Sequence, residues 1–339
     1  MKKKVCFISV YFGTIPSFFD VFLKSCSWNE NFQWLIFHDS PIPYEVPSNV
    51  KSICISVEKF LELINQKLNL NIKEIRYYKV CDFRPAFGLI FEDYLKKYDF
   101  WGICDTDLIL GCLDNFINDE LLMEYDKIFT MGHLSLIRNT SQCNELFKVN
   151  TVNSENYLKV FMDSKNYIYD EFNGFTEKFI DTQKKVFKEK ICADIGSFKK
   201  RITVITKWFF RLIQPQNNFA QYCTDKNYRY QLFILNHGKI KKVYIKKGCV
   251  CQKEYAYIHK LEFSTKYNFD KDTDLIITQK GYVKDEEIFK KINMDTLRKS
   301  DINKYNKTSN IFEWFEKIYW TILWSYRNIK NGVKKQLKK

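Results

Sequence analysis

The stretch from Tyr98 to Ile109 (YDFWGICDTDLI) joins an apolar run to two carboxylates, Asp105 and Asp107, with Thr106 between them. The apolar run predicts a buried strand, and alternation along a strand would direct the two acids to the same side. Buried carboxylates without a partner are costly, so this pair is predicted to meet a cation. Mg²⁺ or Mn²⁺ takes oxygen ligands of this kind and leaves coordination positions open for phosphate.

Asp-x-Asp is a common pattern and has a simpler explanation. Either acid can cap the next element or pair with one of the many lysines of the chain. The setting favours a metal site, because the pair follows a hydrophobic strand and Gly111 comes soon after it.

The composition indicates a globular protein with a substantial core. The chain has 339 residues, of which 45% are hydrophobic and 17% aromatic, so a disordered protein is excluded. The net charge of +14 favours partners with phosphate or anionic lipid headgroups. The richness in Lys, Asn, Ile, Tyr and Phe also fits the bias of an AT-rich genome, so the charge alone does not define a partner.

Cysteine usage and the amino terminus give expectations about the compartment. The 11 cysteines include no CxxC pair, which argues against a zinc site or disulfide framework and for a reducing cytosol. Residues 1–12 imitate a signal peptide, but Gly13 and Pro16 end the apolar run without a cleavage site, so a first core strand is predicted. No apolar run reaches about 18 residues, so no membrane span is expected.

The first part of the chain alternates strands and helices. Strands are predicted at 5–12, 34–37 and 50–57, and helices after Pro16 and at 58–68. This order predicts a doubly wound α/β sheet, whose ligands bind beyond the carboxyl ends of the strands. Gly13, Asp39 and Asp105 all follow such strand ends.

Two common nucleotide-binding motifs are absent from the sequence. No GxGxxG follows the first strand and no GxxxxGK[ST] occurs, which argues against a Rossmann dehydrogenase and a P-loop kinase. A nucleotide would then be held by a metal, by basic side chains and by an acid on the ribose.

The segment 76–88 (RYYKVCDFRPAFG) predicts an anion site before the Asp-x-Asp strand. Pro85 suits the first turn of a helix running to about Lys97, which places Asp82 and Arg84 near a helix start. A helix amino terminus beside an arginine binds anions. The alternative is that Asp82 caps the helix and Arg84 is solvated.

Further strands are predicted at 128–131, 241–245 and 255–259. Gly132 and His133 follow the first of them, and His259 ends the last. Residues 150–215 are predicted as a helical insertion on the acceptor side, and this insertion contains Asp170 and Glu171.

The carboxyl-terminal residues 311–339 have apolar residues at helical spacing, three tryptophans and a net charge of +5, from seven basic minus two acidic residues. A basic amphipathic helix of this kind suits an anionic membrane surface, and the alternative is a helix packed on the domain. The predicted organisation is one catalytic domain over 1–304 followed by a tail at 305–339.

Taken together, several blocks resemble the GT-A glycosyltransferases of bacterial capsule and lipopolysaccharide synthesis. They are VYFG at 10–13, YKVCDFRPAFG at 78–88, WGICDTD at 101–107, Gly132-His133, Asp170-Glu171 and YIH at 257–259. The resemblance covers about residues 5–263 and implies a GT-A-like, Rossmann-type mixed sheet flanked by helices, with the amphipathic helix at the carboxyl terminus.

The resemblance also implies a nucleotide-sugar donor, UDP-linked, with Mn²⁺ or Mg²⁺. Asp105 and Asp107 would hold the metal on the donor diphosphate, and His259 would complete its coordination. The family tends to continue after this histidine with Gln and basic residues, whereas Lys260-Leu261-Glu262-Phe263 follows here.

The remaining site residues follow from the same resemblance. Asp39 would face the nucleoside and Arg84 the phosphate or the donor sugar. The other expected donor-side residues are Tyr11, Gly13, Lys79, Asp82, Gly132 and His133. Asp170 or Glu171 would take the proton of the acceptor hydroxyl in an inverting transfer, or both would only hydrogen-bond the acceptor.

The expected function is metal-dependent transfer of a sugar to a growing surface glycan or lipid-linked acceptor, at the inner face of a bacterial plasma membrane. A nucleotidyl- or phosphoryl-transfer enzyme could use the same Asp-x-Asp site. A non-enzymatic nucleic-acid-binding protein has only the net charge in its favour, because the basic residues are spread along the chain with one concentration in the tail.

Overall fold

A computed structural model describes residues 2–171, 174–189, 191–194, 228, 230–259, 275–278, 281–283 and 292–299. The predicted tail at 305–339, the boundary at 304 and the part of the 150–215 insertion beyond Asp194 lie outside the described residues.

The main sheet contains both parallel and antiparallel strands. The three strands predicted at the start of the chain belong to it. Its members are β1 Val5–Tyr11, β2 Phe32–His38, β3 Val50–Cys54, β4 Phe100–Cys104, β6 Lys127–Met131, β7 Leu134–Arg138 and β8 Val186–Phe187. Their order is β3-β2-β1-β4-β7-β6-β8. β3, β2, β1 and β4 are mutually parallel, whereas β7 runs antiparallel to both β4 and β6.

Two smaller sheets complete the described strands. One joins β5 Leu108–Leu110, β13 Tyr257–His259 and β9 Cys192–Asp194 in the order β5-β13-β9. The other contains β10 Gln231–Asn236, β11 Lys239–Lys246, β12 Cys249–Tyr255, β14 Leu275–Thr278 and β15 Gly281–Val283 in the order β12-β11-β10-β14-β15.

Helices flank the sheet on both faces. They are α1 Phe19–Ser27, α2 Val57–Leu68, α3 Val80–Phe83, α4 Phe87–Ile90, α5 Glu92–Leu95, α6 Asp119–Glu124, α7 Ser141–Asn144, α8 Tyr157–Met162, α9 Phe175–Asp181 and α10 Met294–Lys299. Single 3₁₀ turns occur at Tyr77–Lys79, Arg84–Ala86, Leu113–Asn115 and Leu146–Lys148.

The core explains why β1 and β4 are central strands. Parallel strands covered on both faces are apolar at nearly every position, and the β4 residues are all buried. Ile8 and Ile103 contribute to a core cluster with α2 and α4, whereas Phe7 and Phe100 contribute to the opposite cluster with α1. The predicted α/β class, a mixed sheet flanked by helices, is confirmed by this arrangement.

The helix predicted from Pro85 to Lys97 is wrong as a continuous element. The segment instead consists of short turns, α3, α4 and α5, with the 3₁₀ turn Arg84–Ala86 between the first two. Pro85 lacks the N–H needed to continue a helix from α3. Close packing also constrains the segment, because a Cβ at Gly88 would lie 2.6 Å from Trp101 Nε1.

The Asp-x-Asp pair does not lie on a strand, which corrects the prediction from alternation. β4 ends at Cys104, residues 105–107 form a turn, and β5 starts at Leu108. The backbone N–H of Asp105 donates to His133 O at 2.9 Å, so the turn is fixed to the connection between β6 and β7. Among the described residues, no helix combines the length and the apolarity that a membrane crossing needs.

Candidate active site

Asp105, Asp107 and His259 come together at the carboxyl edge of the main sheet. One potential ligand atom from each lies within 4.8 Å of the others, and His259 Nε2 is 3.6 Å from Asp107 Oδ2. β13 brings the histidine there, because His259 pairs with Leu108, the residue after Asp107. All three side chains are partly exposed, so an ion and a ligand can reach them from solvent.

Arg84 connects this triad to Asp170. Its Nη2 donates to Asp105 Oδ1 and its Nη1 donates to Asp170 Oδ2 at 2.8 Å. The Arg84 side chain is 16% exposed, and Asp170 is buried. The arginine predicted to meet phosphate therefore lies beside the predicted metal ligands, held between two carboxylates.

Carboxyl groups outnumber cations in this region. Asp105, Asp107, Asp170 and Glu171 are near one guanidinium, that of Arg84. Burial raises the pKa of Asp105 above its usual range although Arg84 opposes that rise. A bound divalent cation would favour the ionised form of these acids, so the electrostatics suit a metal site.

Gly132 and His133 form the connection between β6 and β7 and lie against the acids and the histidine of the site. A Cβ at Gly132 would lie 2.4 Å from Asp170 Oδ2 and 2.7 Å from Glu171 Cγ, so only glycine allows this approach. The His133 ring stacks on His259, with centroids 4.2 Å apart and planes at 17°. His133 is only 3% exposed, so its ring is covered by protein groups.

Asp170 and Glu171 lie on a loop before α9 that is held in a strained conformation. Ile168 has φ +55°, which is unusual for a β-branched residue, and its carbonyl accepts a hydrogen bond from Glu171 N at 3.1 Å. Burial raises the pKa of Asp170. Burial, followed by the charge of Asp170, raises the pKa of Glu171 to about 8.

Lys79 and Asp82, predicted as donor-side residues, are buried and bind protein groups. Lys79 Nζ donates to Asp82 Oδ2 at 2.8 Å, to Val160 O at 2.7 Å and to Lys165 O at 2.6 Å. Asp82 also accepts from the backbone N–H groups of Tyr167 and Tyr169, at 2.9 and 3.0 Å. The pair therefore fixes the loop that carries Asp170, which is a supporting position rather than one open to a ligand.

The predicted nucleoside side lies at the ends of β1 and β2. Gly13, with φ +102°, donates its N–H to Asp39 Oδ1 at 2.8 Å, so these two strand ends meet as expected. Burial, followed by the charges of Asp107 and Asp39, raises the pKa of Tyr11. The tyrosine is thus near both Asp107 and Asp39.

Three residues near the site were not predicted. Tyr257 hydrogen-bonds His133, Asp194 pairs with His259 in the register of β9 and β13, and Lys127 is completely buried on β6. Tyr257 precedes His259 by two residues on one strand, so alternation would have placed both on one face. Lys127 is marked in the sequence only as a lysine at the start of an apolar run, which is a weaker indication.

Comparisons with known proteins assign this chain to a protein family. A comparison with curated proteins finds no match. A solved galactosyltransferase, LgtC, in complex with donor and acceptor sugar analogues, is 9% identical with a TM-score of 0.38, over 75% of this chain and 86% of that one. A likeness this distant defines neither fold nor activity. Residues 7–286 match the model of DUF6625, a family of unknown function, and the chain therefore belongs to that family.

Proposed function

We propose that this protein is a metal-dependent glycosyltransferase that moves a sugar from a nucleotide-sugar donor to a surface glycan or lipid-linked acceptor. The observation that carries the proposal is the convergence of Asp105, Asp107 and His259 within 4.8 Å. Two carboxylates and an imidazole suit Mn²⁺, and oxygen ligands also suit Mg²⁺. The sequence resemblance to GT-A enzymes supplies the reaction class.

The donor would lie along the carboxyl edge of the sheet. Asp39 and Gly13 would bind the nucleoside, with Tyr11 between them and the metal triad. A UDP-linked donor is the form that the resemblance implies. The diphosphate would meet the triad and Arg84, whose guanidinium is already oriented by Asp105 and Asp170.

The chemistry requires stabilisation of a departing diphosphate. Negative charge grows on its oxygens as the bond to the anomeric carbon breaks, and groups that attract this charge lower the barrier. A divalent ion, which Asp105, Asp107 and His259 would hold, would supply such stabilisation. Arg84 adds a second positive charge on the same side.

Asp170 and Glu171 lie where an acceptor could be oriented. Glu171, whose pKa is raised by burial and by the charge of Asp170, would hydrogen-bond an acceptor oxygen or take the proton of the acceptor hydroxyl. In both roles, the loop that carries Asp170 and Glu171 takes part in binding the acceptor.

Product analysis tests the reaction class. The purified protein, supplied with Mn²⁺ and a panel of nucleotide sugars, should release nucleoside diphosphate, and Asp107→Asn should abolish that release while remaining folded. Asp107 is the better of the two acids to change, because Asp105 also neutralises Arg84. With a nucleoside triphosphate as the substrate instead, release of pyrophosphate or formation of a phosphorylated acceptor would indicate nucleotidyl or phosphoryl transfer.

The membrane association is a separate part of the proposal and rests on the sequence of the tail alone. Deleting residues 305–339 should release the protein from vesicles containing anionic lipids and preserve hydrolysis of the donor. A truncated protein that stays bound to such vesicles, or that fails to fold, would contradict a location at the inner face of the membrane through this helix.

A further inference from the structure

A group of aromatic side chains lies directly behind the metal triad. Tyr257 and His133 are 1% and 3% exposed, whereas the His259 side chain is 17% exposed. Tyr257 and His133 are therefore buried, and His259 is the member that solvent reaches. The two buried residues have no evident route to a ligand of the size of a nucleotide sugar.

Each member of this group contacts the next in a defined geometry. The hydroxyl of Tyr257 and Nδ1 of His133 are 2.7 Å apart, and their rings meet edge to face at 5.3 Å and 69°. The His133 ring then lies nearly parallel to that of His259, at 4.2 Å and 17°. Parallel and edge-to-face arrangements are the ones that aromatic rings favour.

His133 also fixes the backbone of Asp105, the first acid of the triad. The carbonyl of His133 accepts the hydrogen bond from Asp105 N at 2.9 Å. Tyr257 and His259 are on one strand, two residues apart, so they extend from the same face of β13. His133 thus joins the turn that carries the carboxylates to the strand that carries the imidazole.

We propose that His133 and Tyr257 are positioning residues, which hold the His259 ring with Nε2 toward Asp107 so that the triad can bind a divalent cation. This inference rests on the proposed function for the identity of the ion. A ligating imidazole must be oriented by its surroundings, and changes in such surroundings typically weaken metal binding by about 10–100-fold. Here the orientation comes from ring stacking on a buried histidine, itself hydrogen-bonded to a buried tyrosine.

Three variants separate stacking from other effects. His133→Ala removes the ring that faces His259, His133→Phe keeps an aromatic ring but loses the nitrogen that meets Tyr257, and Tyr257→Phe removes only the hydroxyl. Mn²⁺ affinity, measured by calorimetry on the full chain, should fall about 10–100-fold in His133→Ala. It should take an intermediate value in both His133→Phe and Tyr257→Phe, because each keeps the stacked rings but loses the hydrogen bond between residues 133 and 257.

A second measurement does not require a metal. The chain has four histidines, so imidazole signals in NMR spectra of the metal-free protein are few and assignable by substitution. The His259 ring protons should show a ring-current shift from residue 133 in the wild type and in His133→Phe. That shift should be lost in His133→Ala, where the circular dichroism spectrum should remain that of the folded protein.

The outcomes distinguish this inference from the proposed function. Wild-type Mn²⁺ affinity in His133→Ala, or equal losses in the Ala and Phe variants, would overturn the positioning role while leaving the metal site intact. Wild-type affinity in Tyr257→Phe would overturn the role of the tyrosine. If the wild type binds no divalent cation, the proposed function fails and the cation-binding role of His133 and Tyr257 fails with it, even where the ring-current shift shows that the stacking exists.

Discussion

At the scale of single residues, Gly132 is a position in the site that is sensitive to a small change. A methyl group there would lie 2.4 Å from Asp170 Oδ2, and Asp170 is buried and held by Arg84. Gly132→Ala should displace Asp170 and Glu171 and lower the rate of sugar transfer by about 100-fold, because small misplacements of positioned groups have effects of that size. Initial rates with a nucleotide-sugar donor measure this effect.

Gly248→Ala is the matched control for that substitution. Gly248 has φ +77° in the turn between β11 and β12, and a Cβ there would meet nothing within 4 Å. The change should reduce stability by about 1–2 kcal/mol through backbone strain and leave the rate unchanged. Equal effects of the two substitutions on the rate would show that the loss at Gly132 reflects general destabilisation.

Lys127 gives a prediction about pH. Burial lowers the pKa of its amine from 10.5 to about 7, although the charges of Asp170 and Glu177 oppose this, so between those values the unfolded chain binds one more proton than the folded chain. The free energy of unfolding contributed by this group therefore rises with pH, at up to about 1.4 kcal/mol per unit. Lys127→Met removes that contribution, so the variant should be stabilised relative to wild type at pH 7, less so as the pH approaches 9.

Urea unfolding at several pH values measures this difference. The exposed Lys239→Met is the control and should run parallel to the wild type throughout. A constant difference between Lys127→Met and wild type from pH 7 to pH 9 would show that Lys127 titrates as an ordinary lysine.

At the scale of elements, the loop that carries Asp170 depends on the buried ion pair between Lys79 and Asp82. Asp82→Asn would leave the Lys79 amine without its counter-ion and place an N–H₂ group against the backbone donors of Tyr167 and Tyr169. Breaking a buried pair in this way typically costs about 3–5 kcal/mol. The midpoint of urea unfolding should therefore fall strongly.

Asp93→Asn provides the comparison for that variant. Asp93 also bonds a lysine, Lys67, at 2.6 Å, but its side chain is 58% exposed. Its unfolding midpoint should stay close to that of the wild type, since exposed pairs contribute little. Similar midpoints for Asp82→Asn and Asp93→Asn would contradict the supporting role given to the buried pair.

The sequence predicted elements well wherever a periodic apolar pattern existed. The strands at β1, β2 and β3 and the helix α2 agree with the predictions within a few residues, because burial on one or both faces determines their pattern. The region 80–95 did not follow this rule, since Pro85 interrupts an otherwise helical pattern. The turn at 105–107 was also missed, because an acid-rich end of a strand and a turn look alike in sequence.

The site was predictable in its parts but not in its assembly. Parallel strands bring Gly13, Asp39 and Asp105 to one edge, which follows from topology alone. The salt bridge from Arg84 to Asp170 and the stack of His133 on His259 join residues 86 and 126 positions apart. Contacts over such separations depend on loop conformations that no local pattern contains, so the sequence could not predict that His133, expected among the donor-side residues, is buried against His259.

At the scale of the whole molecule, the chain has a net positive charge, whereas its candidate site is acidic. The net charge is +14, yet four carboxyl groups share the site with one arginine. In the proposed function, the net positive charge of the chain would favour an anionic nucleotide sugar at long range, whereas the acidic site would need a cation before a diphosphate could approach. Metal binding should therefore precede or accompany donor binding.

The most direct test of the account is a calorimetric titration of Mn²⁺ into the wild type, Asp107→Asn and the surface control Asp114→Asn, each with nucleoside diphosphate present. The wild type and Asp114→Asn should bind one ion per chain with the same affinity, and Asp107→Asn should lose most of that affinity while unfolding at a similar temperature. Equal Mn²⁺ affinity in all three proteins would contradict the assignment of Asp105, Asp107 and His259 as a metal site.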